Sequence, residues 1–246
     1  MSEAYVYLIL GAQDSGRLPV VQDLVQDGLN ESERVAVYCH EQELIKSSGD
    51  KWALENRADI RSWQMVEGTI KCEHPTPEEM VFFITHGLWN PVDQIEAFRN
   101  WLSIQKQELG AVITLVHCAL ASNHPRLGKW YDACVHFSDA VLLNRRENVP
   151  QRWIKDFISR YQQTGCYPCH FEQIKKGRVD NPALILNPTP RRISHVFEPE
   201  DWGHAVESEE LDADEMEGAL EDPYFERLLS GQRAKMIPDI RDFFET

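Results

Sequence analysis

Short apolar runs alternate with amphipathic stretches over residues 4–187. Tyr5–Leu10, Arg34–Cys39, Ile60–Met65, Met80–Thr85, Ala111–His117, Ala140–Leu143 and Cys166–Phe171 read as strands. Between them, Leu18–Gly28, Pro91–Glu108, Pro125–Phe137 and Pro150–Thr164 carry apolar residues at helical spacing. Pro91, Pro125 and Pro150 stand where a first helical turn tolerates proline, because its missing N–H has no partner there in any case. Strands alternating with helices predict an α/β fold, a mostly parallel sheet with helices on both faces. There is no internal repeat. From Pro188 onward the pattern changes to "PTPRR", then an acidic run, then "DPYFERLLSGQRAKMIPDIRDFF".

Charge sharpens the division. The net charge is −15, and Glu198 to Glu226 holds thirteen acids and no Lys or Arg, which leaves −2 for the remainder. Such a run has too little apolar content to fold alone and reads as a disordered linker. The expected organisation is an α/β domain over 1–190, an acidic linker over 191–222 and a docking segment over 223–246. In that last segment Tyr224, Phe225, Leu228 and Leu229 fit one face of a short helix, with Ile237, Ile240, Phe243 and Phe244 beyond Pro238. The segment is expected to pack on the domain, on a second copy, or on a protein partner. An acidic chain is repelled by phosphate backbones, so nucleic acid is not an expected partner. No apolar run is long enough to span a bilayer, so a membrane is not expected either. Six cysteines in 246 residues are too sparse for a disulfide framework, and "MSEAYVY" lacks the form of a secretory signal. A cytoplasmic protein is expected.

Candidate chemistry begins in "YLILGAQDSGRLPVVQDLV". A strand leads to Gly11, Gly16 follows after four residues, and a helix comes next, which is the order of the phosphate loop G-x-x-x-x-G-K-[ST]. Later strands end in "THGLWNP", "HCALASNHP" and "NRREN". A strand ending in Asn-x-x-acid is where guanine-specific proteins place N-K-x-D.

Taken in order, these segments resemble the CobW/HypB/UreG family of P-loop GTPases, and its CobW branch most. "GAQDSGRLPVVQDLV" aligns without a gap to that branch's loop. "VAVYCHEQEL" is similar to its "VAVIVNEFGE", "ITHGLWNP" to its "ETTGLADP", and "SDAVLLNRREN" to its "ADVVLLNKTDL". The resemblance covers roughly residues 4–187. It implies a P-loop fold and a GTP or GDP site built from Gly11, Asp14, Ser15, Gly16, Arg17, Glu41, Gly87, Asn144 and Glu147.

It also implies what is missing. Arg17 takes the lysine position, and a forked guanidinium does not replace a compact ammonium. Leu18 takes the place of the hydroxyl that would ligate Mg²⁺. Ile84 replaces the acid of E-x-x-G, and His117 replaces the acid of the next strand. Glu41 is the acid that survives. Asn144 matches the base-recognition asparagine, with Glu147 in place of its aspartate; alternatively, Asn144 only caps the turn after its strand. The branch's C-x-C-C motif is reduced to "GTIKC", so Cys72, with His74, falls short of the three or four ligands zinc takes. That segment reads as a solvent-facing loop. In "CYPCH", Cys166 and Cys169 fall on opposite faces of a strand and read as buried thiols. Trp89 reads as an exposed interface or lid residue. The expectation is a pseudo-GTPase with a binding or regulatory role and little or no hydrolysis, with Mg²⁺ and Zn²⁺ doubtful. The alternatives are an active GTP-dependent metal chaperone with a divergent site and an adaptor acting through its C-terminal segment.

Overall fold

The computed structural model describes residues 4–47, 54, 57–198 and 222–244. Its strands are β1 (Tyr5–Gly11), β2 (Arg34–His40), β3 (Asp59–Val66), β4 (Thr69–Cys72), β5 (Glu79–Ile84), β6 (Glu108–His117), β7 (Ala140–Asn144) and β8 (His170–Gln173). The helices are α1 (Arg17–Gly28), α2 (Glu41–Ser47), α3 (Pro91–Gln105), α4 (Cys118–Asn123), α5 (Gly128–His136), α6 (Gln151–Ser159) and α7 (Pro182–Ile185). The strands form one sheet in the order β4-β3-β2-β5-β1-β6-β7-β8, parallel throughout except for β3 with β4.

Alternation along β1 divides the core. Val6, Leu8 and Leu10 pack with α3, α5 and α6, while Tyr7 and Ile9 pack with α1 and α7. A strand covered on both faces must be apolar at every position, and β1 is. The fold is therefore α/β, with a mostly parallel sheet covered on both faces. Among the described residues no helix is long and apolar enough to cross a membrane.

Several elements differ from the sequence pattern. The helix expected from Pro125 starts as a 3-10 turn over Pro125–Leu127, and α5 begins only at Gly128. The helix expected to reach Glu108 stops at Gln105, because Lys106 turns left-handed at φ +54 and its N–H caps the carbonyls of Leu102 and Ser103. "GTIKC" is not a loop. Glu67 (φ +50) and Gly68 (φ +73) make a two-residue hairpin turn, and β4 returns along β3 with Ile70 buried. In "CYPCH" the strand starts only at His170, and Cys166 is an exposed left-handed residue (φ +52) instead of a buried strand thiol; Cys169 is buried.

The end of the chain packs on the face carrying α3 and α5. Tyr224 lies against the rings of His136 and Phe137, with centroids 4.9 and 5.8 Å away. No helix forms around Tyr224–Leu229. Asp222 instead accepts from the Tyr224 N–H at 2.9 Å, and residues 226–234 double back so that Arg227 bridges Arg233. Arg233 holds that turn to Asp93 and Glu96 of α3, at 2.7 and 2.5 Å. Residues 191–198, at the head of the expected linker, are packed as well. The Arg192 guanidinium is buried between Asp139 and Glu198, and the Ser194 N–H donates to the His136 carbonyl. Residues 199–221, the rest of that expected linker, lie outside the described residues.

Candidate functional site

Ligands of open parallel sheets sit beyond the carboxyl ends of the strands. Five connections meet there, those after β1, β2, β5, β6 and β7. The first is the glycine loop. Gly11 approaches β6 so closely that a Cβ there would lie 2.8 Å from the Leu115 carbonyl oxygen. Asp14 (φ +60) and Gly16 (φ +89) then turn the chain left-handed, and Gly16 becomes the N-cap of α1. The first turn of a twelve-residue helix thus closes the loop, an arrangement that favours negative charge. Ser15 is fully buried, and its Oγ has no hydrogen-bond partner.

The loop after β5 clamps this one from the side. The Gln13 N–H donates to the Gly87 carbonyl at 3.0 Å. A Cβ on Gly87 would stand 2.4 Å from the Gln13 nitrogen, so only glycine permits the contact. Gln94 of α3 braces the same loop, accepting from the His86 N–H at 2.6 Å and donating to the His86 carbonyl at 3.0 Å. From β7, the Asn144 side chain donates to the Ser15 carbonyl at 2.8 Å. Its partner is the glycine loop and not the turn that follows its own strand. Arg145, left-handed at φ +49, donates from Nε to the Asp14 carbonyl at 3.0 Å. Gly11, Asp14, Ser15, Gly16, Arg17, Gly87 and Asn144 are therefore brought together.

Arg17 does not reach toward open solvent at the loop. Its Nη1 donates to the Thr85 carbonyl and its Nη2 meets Glu43 Oε1 at 2.7 Å. The Gly87 N–H donates to the same carboxylate oxygen at 2.9 Å. Burial works against the charge of Glu43, yet the Arg17 guanidinium and the Gly87 N–H outweigh it and hold the carboxyl below the usual carboxylate range. Glu41, the acid the sequence offers, is elsewhere and accepts from the Gln64 side chain on β3. The two acids are two residues apart on α2, so they leave the helix in different directions. Glu147 is exposed.

The positions expected to carry metal oxygens do not fit Mg²⁺. Leu18 packs against the core beneath α1, and the Ile84 side chain is buried in that same core. His117 caps α4, its Nδ1 accepting from the Leu120 N–H at 3.1 Å. Burial, then the nearby Arg145 charge, lowers its pKa, which favours the neutral ring. Cys72 sits on the far edge of the sheet, where burial pushes its thiol up to about 11. Among the described residues no three His, Cys, Asp or Glu side chains converge as metal ligands. Trp89 is half-buried; it stacks on His86 at 4.5 Å and meets His40 edge-on at 4.6 Å.

Sequence reasoning misses Glu43, Thr85 and Gln94. The signal for Glu43 is weak but present: it is the second of two acids immediately beyond the β2 edge, and only the helix phase distinguishes it from Glu41.

A strand, glycine loop and helix at the carboxyl edge of a parallel sheet place the chain among α/β proteins of P-loop architecture. No family model and no curated protein matches it. Solved structures do. The Zn(II)-bound YjiA GTPase from E. coli matches at 15% identity with a TM-score of 0.46, over 76% of this chain and 62% of that one. The cell division protein FtsY from Thermotoga maritima matches at 12% identity and a TM-score of 0.45, over 80% of this chain and 69% of that one. The signal recognition particle receptor FtsY from Elizabethkingia anophelis, solved with GDP, matches at 12% and 0.46, over 81% and 65%. The chain thus spans less than two thirds of the YjiA and Elizabethkingia chains.

Proposed function

We propose that this chain is a CobW-like GTPase-fold protein that has lost hydrolysis and acts by binding or regulation. One observation carries this reading: the residue at the Mg²⁺-ligating position, Leu18, is packed against the core and offers no oxygen. Phosphoryl transfer depends on positioning and on metal-assisted charge stabilisation, and neither Ile84 nor His117 supplies a replacement acid. Six free thiols suit a reducing, cytoplasmic setting. GTP turnover, followed as phosphate release with and without Mg²⁺, is expected to match a protein-free control. Mg²⁺-dependent turnover that disappears in Arg17→Ala, with the fold of the variant checked by circular dichroism, would instead favour the active metal chaperone.

A second reading has its own observation. Of five exposed large hydrophobic residues among those described, Leu228, Leu229 and Met236 lie in or beside the turn at the chain's end. Exposed apolar side chains grouped on so short a segment favour an adaptor that docks a partner protein or a second copy. If it self-associates, sedimentation velocity should show concentration-dependent association that Leu229→Asp removes. A strictly monomeric wild type would leave a different protein as the only partner open to this reading.

A further inference from the structure

We propose that Glu43 is a built-in anion that occupies the cationic end of the glycine loop, and that any diphosphate entering the site must displace it. The proposal rests on the non-hydrolysing, binding reading of the site and specifies what controls its occupancy.

The donors that converge on Glu43 are those an anionic ligand would use. A guanidinium and a glycine N–H both reach Oε1, at 2.7 and 2.9 Å. A phosphate oxygen accepts the same two kinds of donor, one charge-assisted and one from the backbone. These donors are also pre-positioned. The Gln13–Gly87 bond fixes the Gly87 peptide against the loop, Gln94 holds the neighbouring His86 peptide, and the Thr85 carbonyl anchors the other arm of Arg17. The pair is shielded from water, with 7% of the Arg17 side chain and 17% of the Glu43 side chain exposed. In such surroundings a stranded partner is costly, so an incoming anion competes poorly unless it brings enough charge to take over the guanidinium. A diphosphate does so better than a singly charged anion. The carboxylate is thus positioned to hold these donors until a ligand of that class arrives.

A purely structural ion pair would make a different prediction. It would be lost on substitution, stability would fall, and no affinity for anions would appear. The test uses the full chain and Mg²⁺-free inorganic pyrophosphate and GDP, with calorimetric titration and ligand-induced shift of the melting temperature. Glu43→Gln, which keeps the shape and removes the charge, should bind pyrophosphate at least tenfold more tightly than the wild type. Adding Arg17→Gln should abolish that gain. GDP binding more tightly than pyrophosphate in the variant would identify a nucleotide as the source of the diphosphate; equal binding would identify the free anion. If Glu43→Gln does not fold, Glu43→Asp, which retracts the carboxylate by one methylene, should show a smaller gain. Equal affinity in wild type and folded variant, or tight binding by the wild type already, overturns the proposal. GTP turnover by the wild type would defeat the non-hydrolysing reading alone, whereas unchanged anion affinity on removing the Glu43 charge would defeat this proposal alone.

Discussion

Asp139→Ala is expected to destabilise the fold by about 3–5 kcal/mol, the usual cost of leaving one half of a buried charge pair uncompensated. Asp139 lies just before β7, and its carboxylate ties three segments together. Oδ2 accepts from the Val112 N–H of β6 at 2.8 Å and from Arg192 Nη1 at 2.9 Å, and Oδ1 accepts from the Arg191 N–H at 2.6 Å. The side chains of Asp139 and Arg192 are 3% and 4% exposed, and Arg192 Nε already has no partner. Alanine would leave a guanidinium and two N–H groups buried with fewer acceptors. Arg192 would keep Glu198 at 2.5 Å, which limits the loss but does not replace the contact with β6. For a domain of this size the melting temperature should fall by roughly 6–20 °C. Asp139→Asn should cost less, because the amide oxygen can keep one of the N–H bonds. Replacing Arg192 by Met in the Asp139→Ala background should restore part of the stability, since the stranded cation goes with it. Urea denaturation checks all three variants. A single substitution costing under about 1 kcal/mol would show that Asp139 does not anchor residues 191–198.

The parts of this molecule legible in the sequence are those fixed by local pattern. Tyr5–Gly11 is apolar at every position over a length that suits a strand covered on both faces, and it lies at the centre of the sheet. The glycine loop is legible for a related reason: Gly11 (φ +150) and Gly16 (φ +89) take backbone conformations that favour glycine. What could not be read depends on contacts distant in sequence. Glu43 meets Arg17 across 26 positions, and in "CHEQEL" only helix phase separates it from Glu41. The run from Cys166 to Phe171 predicts a strand through Cys166 and Cys169, yet the left-handed Cys166 and Pro168 delay pairing until His170. Tyr224–Leu229 has helical spacing over too few residues for propensity to outweigh the Arg233 ion pairs and the left-handed Gly231 (φ +81), which turn it back on itself.

Deleting residues 222–246 is expected to lower the melting temperature by roughly 5–15 °C, as loss of a structural clasp would, and not to leave it unchanged. Tyr224, Ile240 and Phe243 are buried against the face formed by α3 and α5, and full burial of side chains of this size contributes about 1.5–3 kcal/mol each. Polar contacts add to it. Asp222 Oδ2 accepts from the Ser194 hydroxyl at 2.5 Å and meets His136 Nε2 at 2.8 Å, and the Arg233 guanidinium pairs with α3. Burial opposes the Asp222 charge, but the hydrogen bonds from His136 and Ser194 outweigh it and hold the carboxyl below the usual aspartate range. A depressed folded value means that the aspartate's contribution is present at neutral pH and is lost as pH falls through that value. The intact chain should therefore lose part of its advantage over the truncated one in strong acid. Asp222→Ala alone should reproduce a portion of the truncation's effect at pH 7. A truncated chain that melts with the intact protein at neutral pH would mean that the segment contributes nothing to the domain, and its contacts would then be explained only by a partner that binds the same face.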